Sequence, residues 1–502
     1  AQPHSVHDPD QLFSIGITRA RGWQEFTHGL FKASLFHKIS CMFDLCKTRY
    51  RKHHQPEQQK FTHKLSLFII VHLIFGISQS YALDLPKPLT PDDFITVDER
   101  QAKLGQLLFY DKILSGNQNI SCGTCHHHDL GGSDGLSLGI GEGGNGIGTQ
   151  RTPGIGTDKI KKRIPRNAQA LWNLGAKEFK FMFHDGRLSK SNLYENGYNS
   201  PAEEWLPKGL TNLLAAQAMF PVTSQFEMAG NPKENQIAGA THDRIDHVWP
   251  IISKRVRNIP EYGEMFVSAF DHIENAADVT MVEIAEALSA FINLEWRSYD
   301  APFDEFIAGN NNALTSAQKR GLDLFYNKAD CASCHAGQLF TDHAFHALAL
   351  PPFGPGRTRR FDPSARDVGR MAETDLLEDA YRFRTPSIRN VTLTAPYGHN
   401  GAYATLESIV RHHLSPLKSL QQWEPKQAHL PDVPWVSQID FLVHDDKREM
   451  ARIKSSVDIK PMTLADNEID DLLAFLTALE GKRADELPLG RPYEVPSKLP
   501  VD

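Results

Sequence analysis

The sequence predicts a mainly α-helical protein in which one structural plan occurs twice. Strand patterns are few along its 502 residues, whereas apolar residues recur at helical spacing in several segments. Residues 104–110 (Leu-Gly-Gln-Leu-Leu-Phe-Tyr) and residues 320–326 (Arg-Gly-Leu-Asp-Leu-Phe-Tyr) resemble each other, and each precedes a Cys-x-x-Cys-His pattern. Self-similarity of this kind indicates an internal duplication.

Each half is also predicted to end in an amphipathic helix, because apolar residues return there every three or four positions. These apolar residues are Val282, Ile284, Ala285, Leu288, Phe291 and Ile292 in the first half, and Ile469, Leu472, Leu473, Phe475, Leu476 and Leu479 in the second. Between the halves, residues 300–312 contain a proline, a glycine and three consecutive asparagines, which predicts a linker.

The Cys-x-x-Cys-His patterns are the strongest chemical signal in the chain. Attachment of a c-type haem needs two thiols on one turn, and the iron needs an imidazole beside them. A single match could be a zinc or redox pair, but two matches after the same helix signature favour haem. The predicted haem residues are Cys122, Cys125 and His126 in the first half, and Cys331, Cys334 and His335 in the second.

A helix before and a helix after each haem is the plan of a small class I cytochrome c domain. The expected fold is therefore mainly α, with two class I cytochrome c-like domains in tandem, each carrying one covalent c-type haem. The predicted boundaries are 83–309 for the N-terminal domain, 310–485 for the C-terminal domain and 486–502 for a tail. Residues 131–156 are too rich in glycine for a helix; we expect a haem-covering loop, the alternative being a flexible surface loop.

Residues 1–82 do not have the pattern of a folded domain. A basic run over 47–64 is followed by an apolar stretch over 65–77 and by Ser80-Tyr81-Ala82, and the remaining cysteines, Cys41 and Cys46, lie upstream. This order is typical of a secretory signal cleaved near Ala82, with an uncleaved membrane anchor as the alternative. Met42 would serve as a start, which makes residues 1–41 upstream sequence. Export agrees with haem attachment outside the cytoplasm and predicts a periplasmic protein.

The formal net charge of −7 is mild. It argues against a nucleic-acid partner, which would favour a strongly basic face.

Several further segments resemble one known family, the bacterial di-haem cytochrome c peroxidases and their relative MauG. The resemblance covers residues 92–481, and the first sign is Gln217 and Pro221 followed by Glu227-Met228 at the family spacing. The other matching segments are His184-Asp185-Gly186-Arg187, residues 383–391 (Phe-Arg-Thr-Pro-Ser-Ile-Arg-Asn-Val), residues 394–401 (Thr-Ala-Pro-Tyr-Gly-His-Asn-Gly) and Thr405-Leu406-Glu407.

In this family the N-terminal haem reacts with hydrogen peroxide, and the C-terminal haem takes electrons from a small donor such as a cytochrome c or a cupredoxin. The resemblance therefore implies that Glu227, in register with Gln217, is the acid–base group. A carboxylate over the iron can move a proton from the inner to the outer peroxide oxygen. The alternative is a solvated surface glutamate.

The resemblance also implies a distal ligand for the C-terminal haem, which is Met in the peroxidases and Tyr in MauG. Here that position falls on His413, with His412 as the neighbouring alternative. Bis-His ligation generally gives a lower potential than His/Met ligation. His399 is expected to support the site rather than to bind iron.

A calcium ion between the haems is a further implication of the resemblance. Its protein ligands would be the side-chain amide of Asn167 and the backbone carbonyls of Thr394 and Pro396. These are the hard oxygen donors that calcium prefers. The family is often dimeric, so a homodimer is expected by analogy.

Two positions depart from the family pattern. The better-known peroxidases carry a capping histidine sixteen residues after the proximal one, and here that position is Glu142. We expect the first haem to rest without a sixth protein ligand, unless Glu142 itself approaches the iron. His184 replaces the tryptophan between the haems; its role as a proton relay or a ligand stays open, and Trp172 is either a substitute or part of the core.

Three functions follow as hypotheses. The first is a periplasmic di-haem peroxidase that reduces hydrogen peroxide to water, with Glu227, Gln217 and His184 as candidate catalytic residues. The second is a MauG-like oxidase that acts on a partner protein, which the missing capping histidine favours and the missing tryptophan disfavours. The third is a non-enzymatic electron carrier, which predicts two six-coordinate haems and no reaction with peroxide.

Overall fold

Helices form most of the regular structure in the residues that this computed structural model describes, which are 85–156, 159–359 and 362–502. The prediction of a mainly helical fold is confirmed. These residues belong to one unit, Ala82–Asp502. The predicted signal segment, with Cys41 and Cys46, lies outside the described residues. None of the described helices is long and apolar enough to cross a membrane.

The helices in these described ranges are α1 (Glu99–Tyr110), α2 (Cys122–Cys125), α3 (Leu213–Ala218), α4 (Gln236–Asp243), α5 (Val248–Arg257), α6 (Pro260–Ala269), α7 (Met281–Glu295), α8 (Pro302–Ile307), α9 (Ser316–Tyr326), α10 (Met371–Thr374), α11 (Leu406–Leu414), α12 (Pro416–Gln422), α13 (Leu442–Asp445), α14 (Lys447–Ser456) and α15 (Asp466–Thr477). Short 3-10 turns connect several of them.

Strands are short and few in the same part of the chain, as predicted. β1 (Phe181–Met182), β2 (Leu188–Lys190) and β3 (Tyr198–Asn199) form one antiparallel sheet in chain order. β4 (Phe345–His346) and β5 (Phe383–Arg384) form an antiparallel pair, in which Phe345 lies opposite Arg384. Met182, Leu188 and Tyr198 of the first sheet are buried in the first hydrophobic core.

The two halves are built on the same helix crossing. In the first half α1 packs on α7, and in the second α9 packs on α15. A Cβ added to Gly105 would lie 1.9 Å from the carbonyl oxygen of Ala287, and one added to Gly321 would lie 1.9 Å from that of Asp471. Both crossings therefore require glycine, because the two backbones are too close for any side chain. The helices expected before and after each haem motif are confirmed.

Each crossing supports its own hydrophobic core. The first core contains Phe109 of α1 and Phe291 of α7, whose ring centroids are 5.2 Å apart. The second contains Phe325 of α9 and Phe475 of α15, with ring centroids 5.1 Å apart. The repeated aromatic pair explains why the predicted duplication is visible in the sequence, since both cores use the same apolar positions.

The prediction that residues 300–312 form only a linker is wrong. Pro302–Ile307 form α8, which begins at a proline and is capped by Asp304, whose carboxylate accepts from the backbone N–H of Ala301 at 3.0 Å. Phe303 is fully buried in the second core. Asp304 also forms a buried ion pair with Arg389 at 2.8 Å. The asparagine run suggested a loop, but burial of Phe303 stabilises a helix before it.

The Gly-rich segment 131–156 is not a flexible surface loop. It contains no α-helix, as predicted, but Leu136, Leu138 and Ile140 are almost fully buried. The hydroxyl of Ser137 donates to the carbonyl of Gly401 at 2.6 Å, which ties this loop to the second half. The alternative of a flexible surface loop is therefore wrong, because glycine here lets the loop pack closely against its neighbours.

Candidate haem-binding sites

The first Cys-x-x-Cys-His motif forms a single turn at α2, with His126 at its end. Burial raises the pKa of Cys122 and of Cys125 to about 12, and for Cys125 the nearby carboxylates of Asp134 and Glu227 contribute too. The Nδ1 of His126 donates to the carbonyl of Gly132 at 3.0 Å. Its Nε2 is therefore the nitrogen with a lone pair, which is the arrangement of an iron-binding imidazole.

The second motif repeats this arrangement. The Nδ1 of His335 donates to the carbonyl of Phe340 at 3.0 Å, which leaves Nε2 as the acceptor nitrogen. Burial lowers the pKa of His335 to about 4, so the imidazole is neutral near pH 7 and able to bind a metal. Cys331 and Cys334 line the same cavity as His335. Two thiols and a neutral imidazole at one cavity suit a covalent haem.

The cavity at the second motif has a volume of about 920 Å³, within the range of protein cofactor sites. Its lining includes residues of the second motif and of α11. His413 lines it, with Nδ1 donating to the carbonyl of Ile409 at 2.8 Å. The remaining nitrogen, Nε2, has the lone pair that a ligand needs.

His412 is used differently. Its Nδ1 is 2.8 Å from the hydroxyl of Tyr403, and its Nε2 is 2.8 Å from the carbonyl of Leu348. The residue is fully buried and is not among the residues that line the cavity. Because both nitrogens have protein partners, only His413 of this pair can offer a nitrogen to a haem without breaking buried hydrogen bonds.

The residues matched to a calcium site also meet at this cavity. Asn167, Thr394 and Pro396 all line it. The amide NH₂ of Asn167 donates to the carbonyl of Leu136 at 2.7 Å, which leaves the side-chain oxygen as the available ligand atom. These oxygens fit a hard cation, although all three are neutral and water would have to complete the coordination shell.

His184 and Trp172 line the same cavity from the first half. The Nε2 of His184 donates to the carbonyl of Asn167 at 3.2 Å. Burial, together with the positive charges of Arg166 and Arg384, lowers the pKa of His184 to about 4. Trp172 is buried, and its indole N–H has no hydrogen-bond partner among the described residues. His399 also lines the cavity, stacked on Phe383 with ring centroids 3.5 Å apart.

The predicted acid–base residue lies in an unusual element. Residues Gln225–Ala229 form one turn of π-helix, with Glu227 at its centre. Such turns are rare and are frequent at functional sites. Burial raises the pKa of Glu227, and the positive charge of Arg187 opposes that shift. The side-chain oxygen of Gln217 is buried and has no hydrogen-bond partner among the described residues, so it is available to bind a ligand.

Glu142 lies beside this π-helical turn, as part of the Gly-rich loop. Its backbone N–H donates to the carbonyl of Phe226 at 3.1 Å. One carboxylate oxygen accepts from the side-chain amides of Asn117 at 2.6 Å and Asn119 at 2.9 Å. Glu142 is thus a buried, hydrogen-bonded residue that joins the loop to the turn carrying Glu227.

A buried group of charges surrounds Asp185 and was missed from the sequence. Its carboxylate is 2.6 Å from Arg166, 3.1 Å from Arg187 and 3.5 Å from Arg357. Burial alone would raise the pKa of Asp185, but the three arginines hold it well below its usual range. The motif at residues 184–187 indicated this aspartate, whereas Arg357 comes from a distant loop without any motif.

The turn before this motif is strained. Phe183 has φ of +65°, a region that bulky residues rarely adopt. The guanidinium of Arg187 lies 3.6 Å above the Phe183 ring. This contact holds Arg187 in the position from which its charge reaches Glu227.

Comparisons with known proteins agree with this geometry. Residues 99–312 match the model of a family described as di-haem cytochrome c peroxidase. Methylamine utilization protein MauG of Methylorubrum extorquens is 26% identical over 79% of this chain and 80% of its own length. Cytochrome c551 peroxidase of Pseudomonas aeruginosa is 27% identical over 65% of this chain and 75% of its own length.

Two solved structures share the fold. The crystal structure of a MauG-like protein associated with microbial copper homeostasis aligns with a TM-score of 0.52 at 23% identity, over 83% of this chain and 99% of that one. The diheme peroxidase BthA from Burkholderia thailandensis aligns with a TM-score of 0.52 at 20% identity, over 80% of this chain and 92% of that one.

Proposed function

Because this chain belongs to the di-haem cytochrome c peroxidase family, we propose that it reduces hydrogen peroxide to water with electrons from a small redox protein. The balance is one peroxide, two electrons and two protons for two waters. Each covalently bound haem would supply the electron-transfer chemistry. The first would be held by Cys122, Cys125 and His126, and the second by Cys331, Cys334 and His335.

The observation that carries this proposal is the inequality of the two sites. The first motif is near a partly buried carboxylate, Glu227, whose negative charge contributes to the raised pKa of Cys125. The second faces an imidazole, His413, that lines its cavity. A carboxylate that takes and returns a proton suits a site of peroxide chemistry, whereas a second imidazole suits electron transfer.

The chain's own residues have separate roles in this proposal. Glu227 takes the proton from the inner peroxide oxygen and delivers it to the outer one. Gln217 orients the peroxide with its unpaired side-chain oxygen. Arg187 holds a positive charge near Glu227, which limits the rise of its pKa and keeps it able to accept a proton.

The electron donor would be a cytochrome c or a cupredoxin, and the protein would be periplasmic, because covalent haem attachment occurs outside the cytoplasm. A calcium ion held by Asn167 and by the carbonyls of Thr394 and Pro396 would link the halves, and a homodimer is proposed by analogy. Elemental analysis of the purified protein tests the calcium ion, with one ion per chain expected.

Steady-state turnover tests the main proposal. The haem-loaded protein should oxidise reduced cytochrome c or a reduced cupredoxin only when peroxide is added. A protein with both haems that turns over with none of several donors would contradict peroxidase activity.

A MauG-like oxidase is the second candidate, and Glu142 favours it. Glu142 stands where the better-known peroxidases have a capping histidine, and its carboxylate is bound by two asparagines. Adding peroxide to the oxidised protein separates the two functions. A long-lived near-infrared absorption band would favour the oxidase, and rapid return to the resting spectrum with a donor present would favour the peroxidase.

A further inference from the structure

The last residues of the chain cross from the second half to the first. Residues 484–502, named here the strap, follow α15 and lie along the first core. Val495 is almost fully buried within that core. The apolar residues that also pack there are Ala484, Leu487, Leu489, Leu499 and Val501. The predicted tail is therefore an ordered part of the first half, held by the burial of apolar side chains.

The end of the strap contacts the first haem-binding turn itself. The hydroxyl of Thr124, between the two cysteines, donates to the carboxylate of Asp502. The same hydroxyl accepts the backbone N–H of Ser121 at 2.9 Å, so it caps the turn while bound to the strap. Lys112 holds the other oxygen of Asp502 at 2.5 Å. The strap thus completes the hydrogen bonding of the turn that carries Cys122 and Cys125.

The middle of the strap reaches the same turn through Glu295. The backbone N–H groups of Leu489 and Gly490 donate to the carboxylate of Glu295 at 2.8 and 2.7 Å. That carboxylate, fully buried, also accepts from the Nε2 of His128 at 2.7 Å. The hydroxyl of Tyr110 contacts the other nitrogen of His128. His128, two residues after the proposed iron ligand, is therefore fixed at both nitrogens.

The second motif lacks the contact that Thr124 makes in the first, within the described residues. Ser333 stands where Thr124 stands in the first motif, but it is exposed, and its hydroxyl donates to the carbonyl of Asp330 at 2.7 Å. The side chain at the third position of the motif is thus bound by the strap in the first half only, while the segment after the second motif is bound through Gln338, whose amide donates to the carbonyl of Pro88 at 3.1 Å. A general need of the fold would act on both turns, so the asymmetry points to the first haem.

These contacts involve residues within two positions of the proposed proximal ligand, His126. His126 is oriented by its hydrogen bond to the carbonyl of Gly132, at the end of the segment that Glu295 and the strap hold. The orientation of a proximal imidazole and the charges near it tune the potential of the iron. We infer that Asp502 and Thr124 are positioning residues of the first haem, and that the strap sets the potential and ligation of that haem alone.

Point variants test this inference in the full haem-loaded chain. Asp502→Asn keeps the size of the side chain but removes a negative charge, so the potential of the first haem should rise. Thr124→Val keeps the shape but breaks the contact, and should change the electron paramagnetic resonance signal of the first haem. Ser333→Ala is the matched control in the second motif and should change neither haem. Deletion of residues 484–502 should change the potential and resonance signal of the first haem.

The readouts are the midpoint potentials and resonance spectra of both haems, measured without peroxide. A change confined to the first haem in Asp502→Asn and Thr124→Val supports the inference. An unchanged first haem in both variants overturns it, as does an equal change in both haems. The inference rests on the two haems of the proposed function but not on peroxidase activity, so a protein that fails to turn over still gives a decisive result.

Discussion

The imidazole rings of His412 and His413 are perpendicular, at an interplanar angle of 89°, with centroids 6.3 Å apart. The two residues are neighbours in α11, yet only His413 lines the cavity of the second haem motif. A helix turns by about 100° per residue, so adjacent side chains point in different directions. The cavity therefore agrees with the sequence-based preference for His413 over its neighbour His412.

Replacing His413 tests its proposed role as the distal ligand. His413→Ala should convert the second haem from low-spin to high-spin in electron paramagnetic resonance, because its sixth ligand is lost. His413→Met should keep it low-spin and raise its midpoint potential, since thioether ligation favours the reduced iron. His412→Asn is the control and should leave the spin state unchanged while costing about 1–3 kcal/mol of stability through buried unpaired groups. A low-spin second haem in His413→Ala would contradict the assignment.

Glu227→Gln should lower kcat/KM for peroxide by about 10²- to 10⁴-fold, the usual range for loss of a general acid–base group. Glu227 must be ionised to accept a proton, and burial raises its pKa. The kcat/KM of the unaltered protein should therefore rise with pH around a pKa above the usual range of glutamate. This rise should be absent in the variant. Glu264→Gln, exposed on α6, is the matched control. Equal rates for Glu227→Gln and the unaltered protein would exclude the role.

The helix crossings predict opposite effects for three glycine variants. Gly105→Ala and Gly321→Ala should each destabilise the fold by about 1–3 kcal/mol, because the added methyl group would overlap a backbone carbonyl. Gly239→Ala, in α4 with open space around it, should instead stabilise by about 0.5–1 kcal/mol. Denaturant unfolding of the three variants measures this. Similar stabilities for all three would contradict the close crossings.

Asp185→Asn should destabilise the protein by about 3–5 kcal/mol at pH 7, because the three arginines around this fully buried position would lose a shared counter-charge. The arginines hold the pKa of Asp185 below its usual range. Its contribution is therefore fully present above about pH 4, the usual pKa of aspartate, and is lost as the pH falls below that value. The difference between variant and unaltered protein should narrow in acid. A difference that stays constant from pH 7 to pH 3 would show that charge is not the cause.

Much of the fold was predictable because its signals are local. The helix pairs α1–α7 and α9–α15 follow from apolar periodicity, which is a property of a single helix face. The linker prediction did not include α8, because it relied on the three asparagines of residues 300–312 and not on the apolar Phe303. Only the second core shows that Phe303 is buried and that its helix is stabilised by packing.

The candidate site was predictable where its residues belong to sequence motifs. Glu227 and His413 were located by motif spacing, and their roles stay predictions. Arg357 could not be found, because its contact with Asp185 joins segments far apart in the chain. The sequence showed that Glu142 departs from the family pattern at the position of the capping histidine. Its hydrogen bonds with Asn117 and Asn119 are visible only in the folded structure.

By itself the sequence predicted the two haem-binding turns, since thioether attachment and proximal ligation need three side chains within five consecutive residues. It also determined the duplicated helix crossing, through Gly105 and Gly321. Only the tertiary structure shows that both nitrogens of His412 have protein partners while His413 lines the cavity, and that the strap contacts the first motif. Those outcomes depend on contacts between backbone and charged groups that are far apart in the chain, and a local sequence pattern does not predict such contacts.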